Sequence, residues 1–157
     1  MKLSSKDIKQ KAISLGFSKV GISKASPTPK EQKRLFNWMI KNKNGSMEWM
    51  TKRKEERGNI HKYFNEAKSI ISVALNYYTG FCQEDLKSDY KFSNYAWGDD
   101  YHLILKSKLF TLLNWIKLSN KDAKGIVCAD TSPVMEKVWA QKSGLGWIGK
   151  HTNLITR

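Results

Sequence analysis

Apolar residues recur at intervals of three to four positions in several segments of the chain, and this spacing predicts helices. The longest predicted helix covers residues 101–118 and turns several leucines toward a core. Shorter helices are predicted over residues 4–16, 28–45, 47–50 and 133–144. Ser4 is a typical helix-capping residue, and Thr28, Pro29 and Glu31 form the pattern of a capping box.

Three further apolar segments predict strands and complete the expected fold class. Residues 17–23 alternate apolar with polar or small side chains, as a half-buried strand does. Residues 69–78 are nearly all apolar, which predicts a strand buried on both faces. Residues 124–130 predict a second core strand that ends on an acid. Helices that alternate with short strands predict an α/β or α+β domain, with a small mixed sheet covered by helices.

Two stretches carry little periodicity. The polar and aromatic residues 79–99 predict a long ordered loop, and loops of that length in compact domains are often functional. The last segment, 145–156, is rich in glycine and then apolar. Because residues 153–157 begin another strand pattern without a closing helix or a polar tail, we expect the chain to be a truncated part of a longer protein.

Length and composition limit the class of protein. A chain of 157 residues is expected to form one domain, residues 1–157, that buries roughly 70% of its unfolded surface. A hydrophobic content of 40% excludes a disordered tail. The longest apolar run, residues 70–75, is far shorter than the ~20 residues of a membrane span, and the start lacks a secretory h-region. We therefore expect a cytoplasmic protein with no membrane partner.

The charge balance points to a polyanionic partner. The chain has 28 basic and 14 acidic residues, a formal net charge of +14. The densest basic cluster is Lys52, Arg53 and Lys54, and aromatic residues lie among the charges on either side of it. Bases stack on exposed rings while basic groups neutralise the phosphates, so these three residues are candidate nucleic-acid contacts. A lysine-rich surface that reflects compositional bias alone is the alternative.

A glycine-rich segment near the end of the chain resembles a phosphate-binding loop only in part. Residues 144–150 fit the pattern G-x-x-x-x-G-K, but His151 stands where Ser or Thr is required. The segment also follows a predicted helix and precedes a strand-like run, the reverse of the P-loop context. Two interpretations stay open: a turn around a buried Trp147, or a backbone that approaches a bulky ligand closely.

No metal or nucleophile motif is complete. The three histidines lack metal-ligand spacing and are expected to be surface or packing residues, so no metal ligands are assigned. Asp100 and His102 begin a D-x-H-x-x-G cobalamin signature, but Leu105 replaces its glycine. Cys82 and Cys128 form neither a C-x-x-C pair nor a disulfide framework.

Asp130 is the strongest candidate for chemistry. It follows the predicted strand over 124–130, at the edge of a sheet where α/β proteins bind ligands. A carboxyl partly removed from water there has a raised pKa and can act as a general acid. The alternative is a helix N-cap for the helix predicted from Pro133, although Thr131 or Ser132 could take that place.

Several motifs in order resemble one family, the epoxyqueuosine reductases. The motifs are Trp49-Met50 followed by Arg57, Ser72-Val73-Ala74-Leu75-Asn76-Tyr77, Tyr95-Ala96-Trp97-Gly98-Asp99-Asp100-Tyr101-His102, Asp130-Thr131-Ser132-Pro133-Val134-Met135-Glu136-Lys137 and Gly144-Leu145-Gly146-Trp147-Ile148-Gly149-Lys150. They span essentially the whole chain but match only the N-terminal half of the family.

The resemblance implies an oxidoreductase that uses cobalamin in the last step of queuosine synthesis in tRNA. Asp130 matches the family's proton donor. Candidates for the cobalamin pocket are Arg57, Trp97, Tyr101, Asp130, Gly144, Gly146, Gly149 and Lys150. The implied partners are the tRNA anticodon stem-loop that carries epoxyqueuosine and an electron donor.

The chain departs from the family pattern in three respects. Trp97 stands where an arginine is common, and His151 replaces a frequent asparagine. The [4Fe–4S] clusters and helical repeats of the family are expected only in the missing C-terminal half, because their cysteines do not occur here. A non-catalytic basic RNA-binding domain, or a decayed fragment of such an enzyme, is therefore the alternative function.

Overall fold

The computed structural model describes residues 3–85 and 89–156. The first two residues and the last one of the expected 1–157 domain, and residues 86–88 of the expected long loop, lie outside the described residues. Seven helices are described: α1 (Ser5–Ser14), α2 (Pro29–Ile40), α3 (Glu48–Lys52), α4 (Lys54–Gly58), α5 (Ile60–Tyr63), α6 (Tyr101–Ser119) and α7 (Glu136–Lys142). Four strands accompany them: β1 (Lys19–Lys24), β2 (Ser69–Ala74), β3 (Trp147–Ile148) and β4 (Leu154–Ile155). The loop after β2 contains two 3₁₀ turns, Gln83–Asp85 and Asn94–Ala96.

The strands form two small antiparallel sheets. Strand β1 pairs with β2 in a register that runs from Lys19 opposite Ala74 to Lys24 opposite Ser69. Strands β3 and β4 form a short hairpin near the end of the chain. The expected class, helices covering a small sheet, is confirmed in its α+β form. Strand β2 is shorter than predicted and half-buried rather than buried on both faces, because β1 is its only partner among the described strands.

The β1–β2 sheet lies between two layers of helices. On one face Val20 and Ile71 pack with the buried Phe17 and Leu112, which brings α1 and α6 against the sheet. Successive side chains of a strand point to opposite faces. On the other face a Cβ added at Gly21 would meet the Ser143 carbonyl at 2.5 Å, so the end of α7 lies directly on β1.

The two predicted helix caps differ in outcome. Ser4 forms a complete capping box with Asp7, whose side chain accepts from the Ser4 N–H at 2.9 Å. The capping box predicted at Thr28 is wrong. The Thr28 side chain is buried and donates to the Gly58 carbonyl at 3.0 Å, so it ties the start of α2 to the end of α4 instead.

Two predicted elements near Asp130 are also wrong. Residues 124–130 form no strand, and at Gly125 the backbone passes so close to α6 that an added Cβ would meet Leu113 at 2.7 Å. Helix α7 begins at Glu136 rather than at Pro133, which is fully buried in the preceding loop. Asp130 therefore lies in a loop and caps no helix.

No helix in the described ranges combines the length and the apolar character that crossing a lipid bilayer requires. The longest, α6, has 19 residues and includes three lysines.

A candidate acid–base site at Asp130

Asp130 occupies the tip of a tight turn in a left-handed backbone conformation. Its φ is +59°, and the turn is closed by the Thr131 N–H, which donates to the Ala129 carbonyl at 2.7 Å. Positive φ is uncommon for residues other than glycine, although Asp tolerates it better than most. The Asp130 N–H donates to Glu136 Oε1 at 2.8 Å. The turn is therefore held from the start of α7.

The Asp130 carboxylate contacts the first turn of α6. Its Oδ2 accepts from the Tyr101 hydroxyl at 2.9 Å and lies 3.3 Å from His102 Nε2. Among the described residues, no donor reaches Oδ1, which leaves that oxygen for a bound molecule. The side chain is 63% exposed, so the expected desolvation at a sheet edge is wrong. Hydrogen bonds, rather than burial, define the environment of this carboxylate.

His102 bridges two carboxylates. Its Nδ1 lies 2.7 Å from Asp100 Oδ1, while Nε2 faces Asp130. Asp100 is also the N-cap of α6 and accepts from the His102 N–H at 2.9 Å. The hydrogen bond to Asp100 is the main cause that raises the pKa of His102, and Asp130 adds to it. His102, which was expected to be a surface or packing residue, thus belongs to the site. The sequence feature that could have indicated this is Asp100, an acidic N-cap residue two positions before it.

Tyr101 is held as a hydrogen-bond donor. Its hydrogen bond to Asp130 is the main cause that raises its pKa to about 12. The ring stacks on the His102 imidazole with centroids 4.1 Å apart, and the Tyr95 ring meets it edge-on at 6.0 Å. The hydroxyl therefore keeps its proton near neutral pH and orients the Asp130 carboxylate.

Glu136 faces Asp130 from the other side. Partial removal of its carboxyl from water raises its pKa most, and the Asp130 charge adds to the increase. The bond from the Asp130 N–H and the His102 charge act in the opposite direction. The residue pattern gives no sign of a role for Glu136, because its partner is a backbone amide that only the tight turn brings into reach.

The basic cluster reaches the same region through Tyr63. The Arg53 guanidinium lies over the Tyr63 ring at 4.9 Å and also pairs with Glu56 at 3.1 Å. The side chains of Tyr63 and Ser132 hydrogen-bond the Cys128 thiol, whose pKa is raised mainly by burial. Arg53 thus lies next to Tyr63, and Tyr63 next to Cys128, which is two residues before Asp130 in the chain.

The other two members of the cluster lie on short helices. Lys52 is exposed at the end of α3. Lys54 begins α4 and places its ammonium 5.3 Å from the Phe36 ring centroid. Both are accessible to an anion, and Lys54 gains a cation–π contact at the same time.

Arg57 has an unsatisfied donor. Its guanidinium lies over the Trp49 ring at 5.2 Å, while its Nε is buried and meets no hydrogen-bond partner among the described residues. Burial is the main cause that lowers the pKa of Arg57, and Arg53 adds to it. Buried donors in folded proteins are almost always paired, so this atom fits an acceptor on a bound molecule.

Trp97 and the glycine-rich segment lie on separate loops. The Trp97 indole N–H donates to the Phe92 carbonyl at 3.0 Å. Gly144 ends α7 with a φ of +80°, and a Cβ there would meet open space. At Gly146, in contrast, a Cβ would lie 2.0 Å from the Ile155 carbonyl. The β3–β4 hairpin itself therefore requires Gly146.

The rest of the glycine-rich segment is partly open to solvent. A Cβ at Gly149 would meet only the ring of the exposed His151, at 2.6 Å, and the end of the Ile155 side chain, so movable side chains rather than backbone stand in its way. Trp147 is 46% exposed, and the interpretation of a turn around a buried tryptophan is wrong. Lys150 is exposed in the turn between the strands. The structure brings Tyr101 and Asp130 into contact, whereas no described contact joins Arg57, Trp97 or Lys150 directly to Asp130.

Within the described ranges, no group of three or more His, Cys, Asp or Glu side chains is arranged to hold a metal ion. Cys82 is exposed and Cys128 half-buried, and neither forms a disulfide.

Comparisons with known proteins connect this site to one family. A family model described as "Epoxyqueuosine reductase QueG, DUF1730" matches residues 57–131, a range that includes Arg57, Tyr101, His102 and Asp130. An epoxyqueuosine reductase of Cellulophaga algicola is 45% identical over 96% of this chain and 48% of its own length. The chain thus spans about half the length of the curated relatives it matches.

Solved structures share the fold. The epoxyqueuosine reductase of Streptococcus thermophilus superposes with a TM-score of 0.81 at 26% identity, over 96% of this chain and 41% of its own. An epoxyqueuosine reductase crystallised with an epoxyqueuosine-modified tRNA stem loop superposes with a TM-score of 0.75 at 24% identity, over 96% of this chain and 40% of its own.

The His102–Asp100 contact predicts a measurable titration. We expect His102 to titrate above the ordinary histidine value of about 6.5, and the Asp100→Asn variant, which keeps the helix cap, to lower its pKa. Because the folded pKa exceeds the unfolded one, the stabilisation is complete below about pH 6.5 and is lost as pH rises through the folded pKa. NMR titration of the histidine ring signals, assigned with His102→Gln, measures the His102 pKa in the wild type and in Asp100→Asn.

The neighbouring Asp99→Asn variant is the matched control and should leave the His102 titration unchanged. A His102 pKa at or below about 6.5, or one that does not respond to Asp100→Asn, would contradict the bridging arrangement.

Proposed function

Since the chain is homologous over almost its whole length to part of the epoxyqueuosine reductases, we propose that it is the cobalamin- and tRNA-binding part of such an enzyme. The proposed reaction reduces epoxyqueuosine to queuosine in tRNA, with Asp130 as the proton donor. One observation carries this proposal beyond homology: the Asp130 carboxylate is held by Tyr101 and His102 while its Oδ1 accepts no bond from the described residues.

The reaction sets a proton requirement that this arrangement can meet. Loss of the epoxide oxygen as water takes two electrons and two protons. On this proposal Asp130 passes a proton to the departing oxygen, and protonated His102, whose Nε2 lies 3.3 Å from Oδ2, is placed to replace it. The raised pKa of His102 keeps more of it protonated at neutral pH, and Asp100 stabilises that charge. Tyr101 orients the donor and keeps its own proton.

The residues present fit a large cofactor with polar edges. When bound, cobalamin supplies the cobalt-centred nucleophile and passes on the electrons for opening the epoxide. Arg57 offers the unsatisfied Nε donor, and the exposed Lys150 offers an ammonium. Tyr101, Trp97 and the backbone at Gly144 complete the polar and flat surfaces.

Gly146 supports the pocket less directly, because the hairpin requires it in any case, whereas Gly149 meets only movable side chains. On this proposal the remaining half of the enzyme would hold the [4Fe–4S] clusters, which with an external electron donor would supply the electrons.

The nucleic-acid side of the proposal rests on charge and position. The net charge of +14 is typical of surfaces that neutralise phosphates. Of the basic cluster Lys52, Arg53 and Lys54, Arg53 lies over the Tyr63 ring, and Tyr63 neighbours Cys128, two residues before Asp130. These basic residues would position the tRNA stem-loop through its phosphates, since such contacts orient an RNA without reading its sequence.

A non-catalytic RNA-binding domain accounts for the charge but not for the acid–base site. Such a module has no use for a carboxylate in a left-handed turn, bonded by a tyrosine and by a histidine that a second acid supports. The enzymatic function therefore explains more of the structure.

The proton-donor role predicts a large loss of turnover in Asp130→Asn. For the assay, residues 1–157 are fused to the remaining half of the Cellulophaga algicola reductase, which supplies the electron path. We expect queuosine formation to fall by about 10²–10⁴-fold, because a general acid contributes that much, with binding of cobalamin and tRNA unchanged. Asp122→Asn, which changes an exposed acid in the turn after α6, is the control. Turnover retained in Asp130→Asn would exclude the role.

The basic cluster predicts a change in salt dependence. Arg53 is left intact because its reversal would also break the pair with Glu56. Reversal of Lys52 and Lys54 to Glu should weaken binding of a tRNA anticodon stem-loop and reduce the slope of log K against log salt by about 2. Reversal of the exposed Lys6 and Lys9 on α1 is the matched control. If the Lys52/Lys54 and Lys6/Lys9 reversals change the salt slope equally, the RNA does not bind specifically at the basic cluster.

A further inference from the structure

We infer that Glu136 is a positioning residue whose carboxylate locks the turn of Asp130, so that the Asp130 side chain meets Tyr101 and His102. The contact that carries this inference is the bond from the Asp130 N–H to Glu136 Oε1, at 2.8 Å. The catalytic meaning rests on the proposed function, whereas the structural effect is measurable without turnover.

The turn needs an external lock because its own geometry is unfavourable. Asp130 has a φ of +59°, and the Thr131 N–H bonds the carbonyl only two residues back, at 2.7 Å. Three-residue turns with positive φ are rare and strained, and such conformations persist only where their surroundings hold them. Without Glu136, the Asp130 N–H loses its partner and the strain acts unopposed.

Glu136 is suited to this task because it stands on a fixed element. It is the first residue of α7, and Trp139, one turn further on, is only 2% exposed in the core. Pro133, between the turn and the helix, is also fully buried. The Glu136 contact thus connects a strained, exposed turn to a helix that is anchored in the core through Trp139.

The choice of a carboxylate has a cost and a benefit. Glu136 is partly removed from water and lies near the Asp130 carboxylate, and both effects raise its pKa. A charged acceptor, however, makes a stronger hydrogen bond to a backbone N–H than a neutral one does. The positive His102 partly offsets the repulsion between the two acids.

Tyr101 provides an independent signal of the position of Asp130. Its pKa of about 12 results mainly from the bond to the Asp130 carboxylate. If the turn relaxes and that bond is lost, the pKa returns toward the ordinary value of about 10. At pH 10, ionisation of Tyr101 then rises from about 1% to about half, which NMR of ¹³Cζ-labelled tyrosine resolves after assignment with Tyr101→Phe.

The test compares variants of the 157-residue chain. Glu136→Ala should increase hydrogen exchange of the Asp130 amide by at least about tenfold and increase Tyr101 ionisation at pH 10, because the N–H loses its acceptor. Glu136→Gln keeps an oxygen in place and should restore both readouts most of the way. Glu66→Ala, which removes only an exposed pair with Lys124, should change neither.

Outcomes against the inference are equally specific. Unchanged Asp130 exchange and Tyr101 ionisation in a folded Glu136→Ala chain would overturn it. If circular dichroism shows that Glu136→Ala does not fold, Glu136→Asp decides the matter: its shorter side chain should fall short of the amide and increase both signals, and wild-type values would overturn the inference. Failure here leaves the turnover result of Asp130→Asn unaffected, so the two claims fail separately.

Discussion

The contact between the Tyr101 hydroxyl and Asp130 Oδ2, 2.9 Å long, joins two parts of the chain that neither sheet connects. Tyr101 begins α6, which packs on one face of the β1–β2 sheet, and Asp130 precedes α7, which packs on the other. The acid is thereby fixed between two helices that the core holds in place. Asp100 and Glu136 extend the same network, the first through His102 and the second through the Asp130 backbone.

Local patterns in the sequence predicted the elements that local interactions stabilise. The cap at Ser4, strand β1 and the span of α6 follow from spacing and residue type within a single segment. The predictions were wrong where a contact with a residue far away in the sequence determines the local structure. Thr28 bonds Gly58 instead of its own helix. Residues 124–130, although mostly apolar, pair with no described strand, and Gly125 lies against Leu113 of α6 instead.

The site shows the same division. Asp130 and Tyr101 were singled out from specific motifs, and the structure places them in contact, while their roles stay predictions. His102 was underestimated, since metal spacing was the criterion and its partners are carboxylates. Glu136 was invisible as a partner because the backbone conformation of Asp130, which creates the contact, leaves no mark in the residue pattern. The exposed Trp147 shows that an aromatic residue among glycines need not be core.

The most direct test of the central proposal, that this chain binds cobalamin, is an absorbance titration of the 157-residue chain with cob(II)alamin. The account predicts a saturable spectral shift. Arg57→Gln should bind roughly tenfold more weakly, since it lacks the guanidinium Nε, whereas the exposed Arg34→Gln should bind as the wild type does. No shift from a chain that circular dichroism shows to be folded would contradict the account.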